Sequence, residues 1–373
     1  MIIMNIKINN FLVFDDFELC TSYPKKIVGS GIGEEHLDGK PNFRYKKLII
    51  LMGANATGKT ALGRILMSIF NFFTYKEHRR ITDYIEDKEK EASITLDFVF
   101  NGTDLYRVHT QIVPKDLEMD YSIDDIKVLI KHTPILSNDN YEKCVERLNK
   151  LDENSYSNYI EALEYIPKLS WGFEFPYVPR AGYNIWDDNN TVYYNTLKKT
   201  LITLDPRIED VKQMEGTTDT YMVVYPHCSV LIKRGMVVSP DKDILSKGTV
   251  EGIGIAVLIA SMKTHRSEFY YCDEKFSHIH SEAEKAYLSL LIELIGKNEQ
   301  LIITTHNTDI LEMDIPKHSF AFMRRDENDG NHISCVFASE YIKKNTDSIK
   351  NAVENDVFSS APDLSGIFEL KDI

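Results

Sequence analysis

Residues 53–60 read Gly53-Ala54-Asn55-Ala56-Thr57-Gly58-Lys59-Thr60, and they directly follow the apolar run Leu48-Ile49-Ile50-Leu51-Met52. Residues 61–67 then show the apolar spacing of a helix, so the order is strand, glycine-rich loop and helix. Gly53 and Gly58 allow the backbone to fold closely around phosphate groups, with successive N–H groups directed at the negative charge. The positive end of the following helix points at the same place.

The last two residues of this loop have side chains suited to a nucleotide bound with magnesium. Lys59 can reach the β- and γ-phosphates, and the hydroxyl of Thr60 can bind Mg²⁺. The alternative is a chance match in an ordinary turn, but the strand and the helix on either side are the context that phosphate binding requires. We therefore predict a nucleoside triphosphate site whose residues include Gly53, Asn55, Ala56, Thr57, Gly58, Lys59 and Thr60.

Two later apolar strands end in polar residues that suit the same chemistry. Residues 269–272 are apolar and are followed by Asp273 and Glu274. Asp273 would bind Mg²⁺, and Glu274 would act as the general base on the attacking water. The strand Gln300–Thr305 ends at His306, which could hydrogen bond to the γ-phosphate, and the two strands are suitably spaced to be parallel neighbours. Taken alone, each is also compatible with an acidic turn or with an ordinary histidine at a strand end.

A third segment, Leu245-Ser246-Lys247-Gly248-Thr249, precedes a long helical pattern. Ser246 and Gly248 at a helix N-terminus would offer a hydroxyl and backbone N–H groups to an anion. The alternative is a simple helix N-cap, and it is strong when the segment is considered alone.

The order of these four segments resembles the head of ABC-type ATPases. Four segments resemble motifs of the RecF/SMC/OLD-like branch of AAA-family ATPases. These segments are Ile6–Phe14, Ser246-Lys247-Gly248-Thr249, Asp273-Glu274 with Ile279-His280, and Thr304-Thr305-His306. The match covers residues 1–113 and 200–345. It departs from the family at Ile279, where leucine is usual, at Ser281, where proline is usual, and at the glutamine loop, for which Gln111 is only a weak candidate.

This resemblance implies an α/β fold: an ABC-ATPase-like P-loop core with a mixed N-terminal β-sheet and a parallel sheet flanked by helices, carrying a mainly helical insertion. The expected domains are the N-terminal part of the head (1–114), a helical and irregular insertion (115–200) with a helical pattern over residues 140–166, the C-terminal part of the head (201–345) and a tail (346–373). The resemblance also implies that ATP is the nucleotide. Glu274 and His306 would be catalytic, and Ser246 and Gly248 would face the γ-phosphate held by a second copy.

Composition narrows the choice of partners. The net charge of −14 argues against a surface that binds nucleic acid throughout, although Lys76, His78, Arg79 and Arg80 could form a local basic groove. The alternative for that run is a solvated helix face. No apolar stretch has membrane-spanning length, and the N-terminus lacks signal-peptide layout, so we expect a cytoplasmic protein without a membrane partner. His278 and His280 would share one side of a strand, but without a third ligand we do not expect zinc there.

The leading functional hypothesis is an ATP-driven dimerisation switch. The chain would form a homodimer or a higher homo-oligomer and control a separate effector, such as a nuclease or toxin, as in bacterial anti-phage systems. After His306 the chain looks too short for the Toprim nuclease domain of OLD enzymes. The alternatives are a RecF-like DNA-repair ATPase, which would bind DNA, a transporter subunit and a weak nucleotide sensor. Several aromatic residues lie close together in the sequence of the insertion, and they could form a docking surface for a partner or the hydrophobic core of the insertion. They are Trp171, Phe173, Phe175, Tyr177, Tyr183 and Trp186.

Overall fold

The computed structural model describes residues 1–27, 30–154, 156–176, 185–186, 191–238, 244–326, 332–344, 347–361, 367–368 and 370. The chain divides into two compact units. The first, here the loop unit, comprises Ile3–Lys168 and Thr308–Ile373. The second, here the acid unit, comprises Met1–Ile2 and Leu169–Asn307.

The N-terminal half of the chain supplies most of the loop unit. Its elements are β1 (Ile2–Asn9), β2 (Phe17–Cys20), β3 (His36–Leu37), β4 (Lys40–Arg44), β5 (Leu48–Met52), α1 (Lys59–Tyr75), α2 (Arg79–Thr82), β6 (Ala92–Phe100), β7 (Asp104–Ile112), β8 (Ile126–Pro134), α3 (Tyr141–Asn149) and α4 (Tyr159–Leu163). Five of these strands form a sheet in the order β2-β1-β6-β7-β8.

The hairpin between β6 and β7 is set by local sequence. Phe100 pairs with Asp104, and the turn between them contains Asn101 at φ 49° and Gly102 at φ 68°. Asparagine and glycine are the residues that adopt positive φ most readily, so the turn matches its sequence.

The phosphate loop lies between β5 and α1. All five residues of β5 are buried, and α1 buries one apolar side that includes Leu62, Ile65 and Phe72. The helix ends at Lys76, which has φ 58° and donates its N–H to the carbonyl of Phe72. The order predicted from the sequence, a strand, the loop and then a helix, is confirmed.

The acid unit contains β9 (Trp171–Glu174), α5 (Thr191–Leu204), β10 (Asp210–Gln213), β11 (Thr220–Val224), β12 (Ser229–Lys233), β13 (Met236–Val237), α6 (Lys247–Lys263), β14 (Phe269–Asp273), α7 (Ser281–Leu294) and β15 (Gln300–Thr304). The strand β14 pairs in parallel with both β9 and β15. Strands β10 to β13 form an antiparallel meander, and apolar side chains of α5 and α6 share a buried core with it.

The C-terminal part returns to the loop unit. It contains β16 (Phe320–Asp326), β17 (His332–Phe337), α8 (Ala338–Tyr341) and α9 (Ile349–Glu354). The strand β16 pairs in parallel with β5 and in antiparallel with β17. Within the described parts of the chain, no helix combines the length and the apolarity needed to cross a membrane.

The predicted fold class, α/β with antiparallel and parallel strand pairing and accompanying helices, is confirmed. Residues 115–200 supply helices α3, α4 and α5, but they also supply β8 and β9. β8 joins the sheet of the loop unit, whereas β9 pairs with β14 in the acid unit. The helical pattern predicted over 140–166 is broken into α3 and α4. The domain boundaries proposed from the sequence stay a prediction.

Candidate active site

The backbone of the phosphate loop takes conformations that glycine favours. Gly53 has φ 148°, Ala56 has φ 62° and Gly58 has φ 94°. A Cβ atom on Gly53 would lie 2.4 Å from the carbonyl oxygen of Met323, and one on Gly58 would lie 2.9 Å from the ring of Phe14. Both glycines are therefore required by backbone angle and by space.

The lysine of the loop is directed back over it. The side chain of Lys59 is buried, and its Nζ donates to the carbonyl oxygens of Gly53 at 2.9 Å and Ala54 at 3.1 Å. Thr57 Oγ1 donates to the same Ala54 carbonyl at 2.8 Å. The loop thus combines a tightly turned backbone, a buried ammonium group and the N-terminus of α1, which is the environment that suits a phosphate group.

The other loop residues predicted to contact nucleotide lie at its accessible side. Asn55 and Ala56 are exposed, and Thr60 is half-buried in the first turn of α1. The predicted nucleotide contacts of all the loop residues, Gly53, Asn55, Ala56, Thr57, Gly58, Lys59 and Thr60, stay predictions.

In the acid unit, β14 and β15 bring the predicted carboxylates next to a threonine that the sequence analysis did not assign a role. Asp273 pairs with Thr304 across the two parallel strands. Thr304 Oγ1 donates to Asp273 Oδ1 at 2.7 Å and accepts from the N–H of Glu274 at 2.9 Å. The Glu274 N–H also reaches the Thr304 carbonyl at 3.2 Å. One buried hydroxyl therefore orients both acidic residues.

The structure also brings His306 to Glu274. Glu274 has φ 44°, a left-handed conformation, directly after the end of β14. His306 Nε2 lies 2.7 Å from Glu274 Oε1, with side-chain exposures of 41% for the histidine and 29% for the glutamate. With a proton on Nε2 the imidazole donates to the carboxylate and holds it at the surface. We call Asp273, Glu274, Thr304 and His306 the carboxylate cluster.

The N-terminus of α6 is capped by its own sequence. Ser246 Oγ accepts the N–H of Thr249 at 3.0 Å and lies 2.7 Å from Thr249 Oγ1. The simple N-cap considered for this serine is thus present in the structure. Ser246 is exposed and Gly248 is half-buried. Their predicted contact with a nucleotide stays a prediction.

One face of α6 holds the segment that follows Glu274. We call residues 275–280 the linking segment. A Cβ on Gly248 would lie 2.7 Å from the carbonyl oxygen of His278, and one on Gly254 would lie 2.2 Å from Lys275 Cε. Between them, Glu251 accepts the N–H of His278 at 2.9 Å and lies 2.5 Å from its Nδ1. These three α6 positions are three residues apart, so they lie along one side of the helix.

The linking segment is also anchored in the interior. Lys275 Nζ lies 3.5 Å from Glu174 Oε2 at the end of β9 and donates to the carbonyl of Phe175 at 3.3 Å. Both charged side chains are almost fully buried. Removal of either charge would leave the other buried without its partner, so this pair ties the linking segment to the end of β9.

The two histidines of this region do not lie on a strand, which corrects the sequence analysis. His278 lies in the turn after Glu274 and contacts Glu251, whereas His280 is the N-cap of α7. His280 Nδ1 accepts the N–H of Glu282 at 3.2 Å. The prediction failed because this segment packs along α6 as a series of turns that lead to the N-cap of α7.

Other predicted features have ordinary surroundings. The basic run contacts acids: Lys76 lies 3.2 Å from Glu164, Arg80 lies 2.8 Å from Glu77, and Arg79 lies 3.9 Å from Asp120. These contacts favour the solvated-surface interpretation over a DNA groove. Gln111, the weak glutamine-loop candidate, lies in β7, where its Nε2 donates to Glu91 at 2.7 Å.

The aromatic group is part of the interior where it is described. Trp171, Phe173 and Phe175 are buried, and Trp186 packs against the core of the acid unit. These contacts favour the core interpretation for these four residues. Tyr177 and Tyr183 lie outside the described residues.

The residues present fit a nucleotide bound with Mg²⁺. Within the described ranges, no three His, Cys, Asp or Glu side chains are grouped to hold a metal by themselves. Magnesium that accompanies a nucleotide is held instead by one or two protein oxygens together with phosphate oxygens. The carboxylate of Asp273 in the acid unit and the hydroxyl of Thr60 in the loop unit each have the chemistry of such a ligand, and their roles as metal ligands stay predictions.

Comparison with known proteins identifies the fold. No family model matches the chain, and no curated protein matches it. Among solved structures it is similar to the Smc head domain with an extended coiled coil bound to the C-terminal domain of ScpA from Pyrococcus furiosus. Identity is 11%, the TM-score is 0.50, and the match covers 95% of this chain and 98% of that one. The chain therefore has the fold of an SMC head, which confirms the predicted ABC-type head at the level of architecture.

Two further solved structures give matches of similar extent. The SmcHead bound to the C-winged helix domain of ScpA is 14% identical with a TM-score of 0.48, covering 95% of this chain and 100% of that chain. The SMC head domain from Thermotoga maritima is 14% identical with a TM-score of 0.41, covering 90% of this chain and 99% of that chain.

Proposed function

We propose that this chain binds and hydrolyses ATP with Mg²⁺ and dimerises around the bound nucleotide. The observation that carries the proposal is the geometry of the phosphate loop. Gly53 and Gly58 admit no side chain there, and Lys59 Nζ lies within 3.1 Å of two loop carbonyls. The SMC-head fold supports the proposal because it agrees with the resemblance to ABC-type ATPase heads in the motifs.

The roles of the residues follow from their chemistry. Lys59 and the loop N–H groups bind the β- and γ-phosphates, and Thr60 and Asp273 bind the metal. A bound Mg²⁺ neutralises charge on the phosphate oxygens. Glu274 takes the proton of the attacking water, and His306 holds that carboxylate in place. Thr304 fixes the directions in which Asp273 and Glu274 leave β14.

The dimer is supported by the start of α6. Ser246 and Lys247 are exposed at the positive end of a 17-residue helix, where an anion is stabilised. In the proposed dimer, Ser246 and Gly248 contact the γ-phosphate of ATP that is bound by a second copy. Nucleotide then joins two copies, and hydrolysis separates them.

A separate protein partner is part of the proposal. The similar Pyrococcus furiosus structure contains the C-terminal domain of ScpA, which shows this fold bound to another protein. Control of a nuclease or toxin effector in anti-phage defence rests on the sequence resemblance to stand-alone heads of that kind. The RecF-like alternative needs a basic DNA surface, and the basic run that could have formed one contacts acids instead.

Calorimetric titration with ATP and Mg²⁺ tests nucleotide binding. We expect saturable binding that Lys59→Ala abolishes. Lys76→Ala, a lysine at the opposite end of α1, is the matched control and should bind as the unmodified protein does. Absence of heat with the unmodified protein would refute the proposal.

Sizing and affinity purification of Glu274→Gln test the switch. With ATP we expect a dimer or larger particle that carries a second protein, and with ADP a smaller one. A particle of the same size with and without ATP would contradict ATP-dependent dimerisation. DNA binding that weakens steeply with salt would instead support the RecF-like alternative.

A further inference from the structure

His306 depends on a buried carboxylate that belongs to a different element. Glu284 lies in the first turn of α7 and is 3% exposed. Its Oε1 accepts from Thr305 Oγ1 at 2.8 Å, and its Oε2 accepts from Asn307 Nδ2 at 2.7 Å. One carboxylate thus contacts the residue before His306 and the residue after it.

Two further hydrogen bonds close this arrangement. Asn307 Nδ2 also donates to Ser281 Oγ at 2.9 Å, and the N–H of Asn307 donates to Thr305 Oγ1 at 3.0 Å. The side chains of Thr305 and Asn307 are therefore joined through Glu284 to the N-terminus of α7, and the Thr305 hydroxyl also binds the backbone of Asn307. A carboxylate in the first turn of a helix is also stabilised by the helix dipole.

A buried charge is an expensive way to pack a loop against a helix. An apolar side chain of similar volume would fill the space without desolvating a carboxylate. What the carboxylate adds is direction, because its two oxygens accept hydrogen bonds at defined angles from two separate donors. This is the property that a catalytic side chain on a short loop requires.

Within the described part of the chain, the side chain of His306 is held by its contact with Glu274. It is 41% exposed, yet its Nε2 lies 2.7 Å from Glu274 Oε1. An exposed imidazole at the end of a strand would lose that contact through small shifts of the backbone. We propose that Glu284 is a positioning residue: it fixes the backbone on both sides of His306 and so keeps the imidazole against Glu274. This inference rests on the proposed ATPase function.

A double-mutant cycle tests whether Glu284 acts through His306. We expect Glu284→Ala to lower kcat roughly tenfold or more, since small misplacements of catalytic groups are costly, while the Kd for ATP stays within about twofold. In a His306→Ala background, Glu284→Ala should then lower kcat no further. An equal loss of kcat in both backgrounds would overturn the proposal, because it would show an effect independent of the histidine.

Hydrogen exchange provides a readout that does not depend on ATPase activity. Glu284→Ala should speed exchange of the amides at 305–307 and leave the amides of β14 unchanged. Unchanged exchange at 305–307 would overturn the positioning role, even if the unmodified protein hydrolyses ATP. Failure of the unmodified protein to hydrolyse ATP would instead count against the proposed function, and the exchange result would remain interpretable.

Two variants guard against a trivial loss of folding. Thr305→Val removes one donor to Glu284 with almost no change of volume and should reproduce the exchange effect at Asn307. Glu282→Ala removes a carboxylate from the same turn of α7, but Glu282 is exposed and pairs with Lys285 at the surface. It should leave kcat and exchange at 305–307 unchanged. A loss of kcat with Glu282→Ala equal to that with Glu284→Ala would overturn the specific role of Glu284.

Discussion

The phosphate loop and the carboxylate cluster have their geometry fixed in different ways. The loop is shaped by its own backbone: Gly53 and Gly58 take positive φ, and the Lys59 ammonium bonds to carbonyls of the same loop. The cluster is shaped by side chains that come from separate elements, such as Thr304 on β15 acting on Asp273 and Glu274. Substitutions in the loop should therefore act through steric clash, and those in the cluster through lost hydrogen bonds.

The largest effect is expected for Glu274→Gln in the carboxylate cluster, and it should change kcat but not ATP binding. Glu274→Gln keeps the volume of the side chain but cannot accept a proton, so kcat for ATP should fall by roughly 10²- to 10⁴-fold. The Kd for ATP should be unchanged. Single-turnover kinetics and calorimetry separate the two quantities. Weaker binding together with slower turnover would show that the cluster also shapes the nucleotide site, and the contrast with the loop would be lost.

Gly53→Ala should distort the phosphate loop and weaken ATP binding. Its Cβ would lie 2.4 Å from the backbone carbonyl of Met323 at φ 148°, so both the angle and the space are unfavourable. We expect ATP affinity to fall by roughly 5- to 150-fold, the range that corresponds to strain of about 1–3 kcal/mol. The matched control is Gly216→Ala, at φ 74° with no neighbour within 4 Å. It should leave ATP binding intact.

Thr304→Val sharpens the comparison within the cluster. It removes a fully buried hydroxyl that donates to Asp273 and accepts from Glu274, so kcat should fall roughly tenfold and the free energy of unfolding by about 1–3 kcal/mol. Thr304→Ser retains the hydroxyl and should restore most of the turnover. If serine and valine behaved alike, the methyl group rather than the hydrogen bonds would matter.

Gly248→Ala should have the smallest effect, because the added Cβ would clash with a turn of the linking segment that can shift. A Cβ there would lie 2.7 Å from the carbonyl oxygen of His278, and we expect the free energy of unfolding to fall by about 1 kcal/mol. Gly33→Ala, with nothing within 4 Å, is the control and should be neutral. Thermal or urea unfolding measures both. Equal stability of the two variants would show that α6 does not hold the linking segment.

The same contrast explains what the sequence could and could not predict. The conformations of the phosphate loop and of the β6–β7 hairpin are determined by neighbouring residues, so a stretch of about ten residues is enough to predict each of them. Thr304 was visible in the Thr-Thr-His motif, but its role needs the parallel register of β14 and β15. Glu284 and Glu251 carry no local signal, since a glutamate on a helix is most often a surface residue.

Long-range pairing also explains the misjudged segments. Residues 115–200 were expected to be a helical and irregular insertion, and β9 is a strand within it because it pairs with β14, about a hundred residues later in the chain. The linking segment was assigned a strand because two histidines alternate in it. Its conformation is determined instead by Gly248, Glu251 and Gly254 on α6, which no short pattern could indicate.

The contacts along α6 have a consequence for timing. Three positions on one side of this helix pack against the residues directly after Glu274, so a shift of the helix along its axis would move the proposed general base. In the proposed dimer the exposed end of α6 meets the triphosphate held by the other copy. Binding of the second copy would then change the position of Glu274. Because such coupling is reciprocal, conversion of ATP to ADP would weaken the affinity between the two copies. A single chain would then bind ATP without hydrolysing it, and hydrolysis would occur only in the dimer.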